Sequence, residues 1–115
     1  MKLKKYIILC LITSLTGGLS AQKTMTGIEV LKKDNFKILE RKRVGLITNP
    51  TGVDNSLKST IDILFEAPNV NLVALYGPEH GVRGDVHAGD KVENSTDPST
   101  GLPVYSLYGK TRKPT

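Results

Sequence analysis

Three short runs of hydrophobic residues, separated by polar and turn-forming stretches, predict the strands of a sheet. They occupy positions 44–48, 71–76 and 104–108. The first two runs do not alternate apolar with polar residues, which is typical of parallel strands. The first run stops at the turn sequence Asn49-Pro50-Thr51-Gly52. The pattern therefore predicts a parallel sheet whose first strand is covered on both faces.

Two other segments have the features of helices. Between the first two strands, apolar residues follow the spacing i, i+3, i+4, i+7 and i+8 of one helical face: Leu57, Thr60, Ile61, Leu64 and Phe65. We expect Ser56 to cap this helix and Pro68 to end it. Thr26 and Glu29 have the spacing of a capping box and predict a short helix over 27–34. Strand, turn, helix and strand in succession form a βαβ unit, so the fold class is α/β.

The first 21 residues have the three parts of a secretory signal peptide. Lys2, Lys4 and Lys5 precede an apolar run over 6–12, and small residues follow it: Gly17, Gly18, Ser20 and Ala21. The run is too short for a membrane span, which needs about 20 residues. Cys10 lacks the preceding small residues of a lipoprotein site. We therefore expect a signal peptide over 1–21, a mature part over 22–115, no stable membrane anchor after cleavage, and a periplasmic or secreted protein.

Removal of this signal changes what the composition means. The 115 residues carry 16 Lys and Arg against 11 Asp and Glu, a net charge of +5 that would favour an anionic partner. Without the three lysines of the signal, the chain has 13 basic and 11 acidic residues. Nucleic acid is then no longer favoured as a partner. The single cysteine, Cys10, excludes an internal disulfide and a cysteine-rich zinc site.

Candidate chemistry lies in two loops that leave the ends of predicted strands, at 49–54 and 77–84. If the strands are parallel, both loops meet at one edge of the sheet, where ligands bind in α/β folds. Glu79 follows a rigid proline and precedes Arg83 by four positions. A partly desolvated glutamate with a raised pKa acts as a general acid, whereas a surface glutamate paired with Arg83 is purely structural. The spacing supports both interpretations of Glu79 equally.

Other kinds of site have weaker support. A metal site would use the two histidines and two acidic residues of this region, but their spacing matches no standard zinc motif: Glu79, His80, Asp85 and His87. Hydrogen bonds that shape the loop are the favoured interpretation of these side chains. Neither phosphate-binding glycine fingerprint is present, and nothing indicates a redox or nucleotide cofactor.

Three longer segments resemble one bacterial family in order and spacing, the NamZ-type exo-β-N-acetylmuramidases. They lie at 44–54, 75–84 and 97–109, and Ala88-Gly89 also fits the pattern of that family. The resemblance implies a glycoside hydrolase that releases N-acetylmuramic acid from the non-reducing ends of peptidoglycan fragments, with muropeptides or disaccharides as partners and no cofactor. It also implies a Rossmann-like parallel sheet with flanking helices, of which this chain would be the incomplete N-terminal part.

The same resemblance assigns the catalytic acid to Glu79, with His80 in the same motif. The expected substrate-binding residues are Asn49, Thr51, Arg83 and His87. The second carboxyl group that glycoside cleavage usually needs stays open. It could be Asp85, Asp90 or Asp97, could lie outside this chain, or could be replaced by the acetamido group of the substrate. Two alternatives stand beside the hydrolase, namely a non-catalytic periplasmic sugar- or nucleotide-binding module and an inactive fragment.

Overall fold

A computed structural model describes residues 23–84, 93–109 and 112–114. Its elements are helix α1 (Gly27–Lys33), a 3₁₀ turn (Lys37–Leu39), strand β1 (Arg43–Ile47), helix α2 (Thr60–Glu66) and strands β2 (Asn71–Gly77), β3 (Ser95–Thr96) and β4 (Pro103–Ser106). The expected signal peptide at 1–21 lies outside the described residues, as does His87. Neither helix of the described part is long and apolar enough to cross a membrane.

The four strands form one sheet in the order β1-β2-β4-β3. Strand β2 pairs in parallel with both β1 and β4, with Leu75 opposite Leu46 on one side and Val104 on the other. Strand β3 pairs antiparallel with β4 and is not among the three predicted strands. The predicted α/β fold class with a parallel sheet is confirmed, with a short antiparallel strand at one edge.

The described residues pack into one apolar cluster that joins both helices to a single face of the sheet. Ile61 of α2 and Leu75 of β2 have no exposed surface, and Val104 of β4 is 5% exposed. Strand β1 alternates between half-buried residues, Val44 and Leu46, and exposed ones. The prediction that β1 is covered on both faces is therefore wrong for the described part of the chain, because β1 is an edge strand and the helices pack on one side of it.

Helix α1 starts where the capping box predicts. Glu29 Oε2 accepts hydrogen bonds from the backbone N–H of Thr26 at 2.8 Å and from its hydroxyl at 3.0 Å. The same oxygen accepts from Asn55 Nδ2 at 2.6 Å, which connects α1 to the turn before α2. These bonds hold the pKa of Glu29 below its usual range, chiefly through the backbone N–H of Thr26. The capping box thus also links two elements that are distant in sequence.

Helix α2 starts three residues later than its apolar spacing predicts. Asp54 Oδ1 accepts hydrogen bonds from the N–H groups of Ser56 and Lys58, at 2.8 and 2.9 Å, which closes a turn before the helix. Leu57 lies in this turn with φ at +63° and is 79% exposed. The predicted cap at Ser56 and the predicted burial of Leu57 are therefore wrong, because the Asp54 side chain competes successfully with the helix for these backbone groups.

The actual cap of α2 is Ser59, whose Oγ accepts from the N–H of Ile61 at 3.2 Å. A Ser59→Ala variant should lose about 1 kcal/mol in free energy of unfolding, because the cap satisfies an otherwise unpaired helix N–H. Denaturation by urea measures this loss. Ser56→Ala is the matched control and should leave stability unchanged, since the Ser56 side chain is exposed. Equal losses in the two variants would contradict the assignment of the cap.

Candidate functional site

The two loops singled out in the sequence are in contact at the carboxyl edge of the sheet. The first follows β1 and the second follows β2, and these strands are parallel. Gly84 closes the second loop with φ at +82°, a conformation that suits glycine. A Cβ atom on Gly84 would lie 2.9 Å from Cγ of Pro50 in the first loop. The absence of a side chain at Gly84 is therefore what allows the two loops to approach so closely.

Glu79 and His80, the expected catalytic residues, are exposed on the second loop. The base of this loop is narrow, because a Cβ on Gly77 would lie 3.3 Å from the backbone of Gly81. Gly81 is buried and has φ at +74°, so the backbone reverses direction at this point. Val82 follows and is 6% exposed within the apolar cluster. Glu79 thus projects into solvent from a closed loop whose base is fixed in the core.

Arg83 joins this loop to two other elements. Its Nη2 and Nη1 donate to Asp62 on α2, at 2.8 and 3.3 Å. Its Nε and Nη2 donate to Asp97 after β3, at 2.5 and 3.0 Å. The hydrogen bonds to Asp97 and then those to Asp62 raise the pKa of Arg83 above its usual value. The Arg83 side chain therefore connects the second loop to the segment after β3 and to helix α2.

Asp97 is the most buried charged group in the described part of the chain, at 2% exposure. Besides Arg83, its carboxylate accepts from the hydroxyl of Thr100 at 2.7 Å and from the Thr100 N–H at 3.0 Å. The hydrogen bonds from Arg83 are the main reason that the pKa of Asp97 lies below its usual range. Both carboxylate oxygens of Asp97 thus accept hydrogen bonds within the protein. These contacts indicate a structural role, because a base or nucleophile needs a free carboxylate oxygen.

Asn49 and Thr51 form a local turn in the first loop. Asn49 Oδ1 accepts from the Thr51 hydroxyl at 2.8 Å and from the Thr51 N–H at 3.2 Å, and both residues are exposed. Such side-chain bonds stabilise an Asx turn. The structure therefore brings Asn49 and Thr51 to the same edge as Glu79. Their predicted role in substrate binding, like that of Arg83, stays a prediction.

Asp62 contacts Arg83 but is not among the site residues predicted from the sequence. The apolar spacing of α2 predicts only the burial of its neighbours, Ile61 and Leu64, which are indeed buried. The sequence nevertheless contains a feature that predicts its position, because the helix of a βαβ unit begins at the carboxyl edge of the sheet. An acidic residue in the first turn of that helix, as Asp62 is, lies beside the loops of the site.

The remaining expected residues bear on the metal and second-carboxyl alternatives. Asp85, His87 and Asp90 lie outside the described residues. Among the described residues, no group of three side chains is arranged to hold a metal ion. The second carboxyl group therefore stays open between the undescribed aspartates, the substrate and other parts of the protein.

Comparison with known proteins identifies the family. The family model described as "Exo-beta-N-acetylmuramidase NamZ, N-terminal" matches residues 44–115. The peptidoglycan β-N-acetylmuramidase NamZ of Bacillus subtilis is 62% identical over 93 residues, which cover 81% of this chain and 22% of that protein. The crystal structure of a DUF1343 family protein from Bacteroides fragilis superposes with a TM-score of 0.70 at 80% identity, over 79% of this chain and 22% of that chain.

The chain thus spans about a fifth of the length of the relatives that it matches. The match includes both loops of the candidate site and the segment that contains Asp97. By the extent of this match, the chain belongs to the exo-β-N-acetylmuramidase NamZ family, in the N-terminal region of that family.

Proposed function

We propose that the whole protein is a glycoside hydrolase that releases N-acetylmuramic acid from the non-reducing ends of peptidoglycan fragments. The observation that carries the proposal is the 62% identity to a Bacillus subtilis protein named as a peptidoglycan β-N-acetylmuramidase. The placement of Glu79 supports it, because an exposed carboxyl group on an anchored loop is accessible to a sugar. The non-catalytic binding module has no comparable support.

In this proposal Glu79 protonates the glycosidic oxygen as the bond to the anomeric carbon breaks. His80 neighbours Glu79 on the same loop, and Asn49 and Thr51 offer amide and hydroxyl groups from the adjacent one. Hydrogen-bonding side chains of this kind orient a sugar ring in a concave site. His87 is proposed as a further substrate contact on the basis of the sequence alone.

Export is a second part of the proposal. A basic start, a short apolar core and small residues before position 22 are the features of a cleaved signal peptide. Peptidoglycan lies outside the cytoplasmic membrane, so an exported enzyme would meet its substrate there. We therefore propose that the mature protein begins near Gln22 and acts in the periplasm or outside the cell.

The substrate distinguishes this function from a general hexosaminidase. The whole protein should release 4-nitrophenol from the β-glycoside of N-acetylmuramic acid and not from that of N-acetylglucosamine, which lacks only the lactyl ether. A chromogenic assay with both glycosides measures this difference. Equal cleavage of both would contradict the proposed specificity. Binding of the muramic acid glycoside without cleavage would instead favour the sugar-binding module.

A further inference from the structure

We propose that Asp62, Arg83 and Asp97 act together as a positioning unit that holds Glu79 in its reactive place. The inference rests on the proposed function, because it concerns the same reaction. None of the three residues needs to touch the sugar. Their task is to prevent the loop that carries Glu79 from moving relative to the sheet.

The contacts of Arg83 explain how one side chain restrains the loop. Arg83 lies four residues after Glu79 and directly after buried Val82. Its guanidinium bonds to Asp62 on α2 and to Asp97 after β3, so one side chain connects the loop to two elements that are distant in sequence. A catalytic group is effective only when it is held close to the reacting atoms, and small displacements cost large factors in rate.

The charges favour positioning over attraction of the substrate. Four hydrogen bonds from the guanidinium go to the two carboxylates. Two negative charges therefore face one positive charge, and a carboxylate of the substrate gains little from approaching Arg83. The planar fork of arginine can bridge two carboxylates at fixed angles, which a lysine ammonium cannot do. The arrangement therefore suits a fixed support better than an anionic-ligand site.

The leaving group of the substrate provides a specific test. When the disaccharide of N-acetylmuramic acid and N-acetylglucosamine is cleaved, the N-acetylglucosamine must leave as an alkoxide unless an acid protonates the glycosidic oxygen. In the 4-nitrophenyl glycoside, 4-nitrophenolate leaves readily without a proton. A misplaced acid therefore slows cleavage of the disaccharide only. Partial unfolding, or lost binding of the N-acetylmuramic acid ring that both substrates share, slows cleavage of both equally, so the ratio of the two kcat/KM values separates the roles.

The experiment uses the whole protein with Asp62→Asn, which changes a partly exposed carboxylate and should leave the protein folded. We expect kcat/KM to fall about tenfold on the disaccharide and less than twofold on the 4-nitrophenyl glycoside. Arg83→Lys should give the same contrast. The matched control is Glu66→Gln, which removes the exposed ion pair with Lys58 on the same helix and should leave both values unchanged.

The possible results are distinguishable. Equal losses on the two substrates, or no loss on either, would overturn the positioning role while leaving the proposed function intact. A wild-type protein that cleaves neither substrate would overturn the proposed function and the inference with it. The inference is supported if kcat/KM falls about tenfold on the disaccharide and less than twofold on the 4-nitrophenyl glycoside, in both Asp62→Asn and Arg83→Lys.

Discussion

A Glu79→Gln variant is expected to lose about a thousandfold in kcat/KM on the disaccharide of N-acetylmuramic acid and N-acetylglucosamine. The amide has the shape of the carboxyl group but cannot supply the proton that the leaving oxygen needs. Because Glu79 is exposed at the tip of its loop, the substitution should not affect packing or stability. Release of N-acetylmuramic acid by the whole protein, with thermal denaturation in parallel, measures both parts of this expectation.

The 4-nitrophenyl glycoside should lose much less of its kcat/KM in the same variant, since its leaving group needs no proton. Glu93→Gln serves as the control, because Glu93 is an exposed glutamate just before β3. It should retain full activity on both substrates. A Glu79→Gln variant as active as the wild type on the disaccharide would refute the assignment of the catalytic acid and direct the search to other carboxyl groups.

An Asp97→Ala variant is expected to show the largest loss of stability, about 3 kcal/mol in free energy of unfolding. The Asp97 side chain is 1% exposed and that of Arg83 is 25% exposed, so removal of the carboxylate leaves a partly buried guanidinium with only Asp62. Thr100 also loses its acceptor. Denaturation by urea at neutral pH measures the loss. Asp34→Ala removes an exposed carboxylate and should change stability by less than about 0.5 kcal/mol.

The wild-type protein and the Asp97→Ala variant should differ in how their free energy of unfolding depends on pH. Because folding lowers the pKa of Asp97, the folded state favours the carboxylate, and its stabilisation is complete above the unfolded pKa of about 3.9. The stabilisation decreases as the pH falls through the lowered pKa of the folded state. The difference in stability between wild type and Asp97→Ala should therefore be constant near neutral pH and narrow in acid. A constant difference down to the lowest pH would contradict the ion pair as its source.

Local sequence patterns predicted the elements that depend on near neighbours. The capping box of Thr26 and Glu29 located the start of α1, and the apolar runs located the parallel strands to within a residue or two. The start of α2 was predicted wrongly, because the apolar spacing of Leu57 matched a helix while Asp54 bound the same backbone in a turn. Apolar periodicity alone does not predict whether a side chain such as Asp54 will bind the backbone N–H groups that a helix would otherwise use.

The sequence by itself determined the α/β class, the two loops at the strand ends and Glu79 as the candidate acid. These follow from short-range spacing and from a resemblance carried by contiguous segments. Only the tertiary structure decided which face of the sheet is covered, and that Arg83 lies between Asp62 and Asp97. The two carboxylates are 21 and 14 residues from Arg83 along the chain. Contacts over such distances depend on how the helix and strands pack, and no local pattern of residues specifies them.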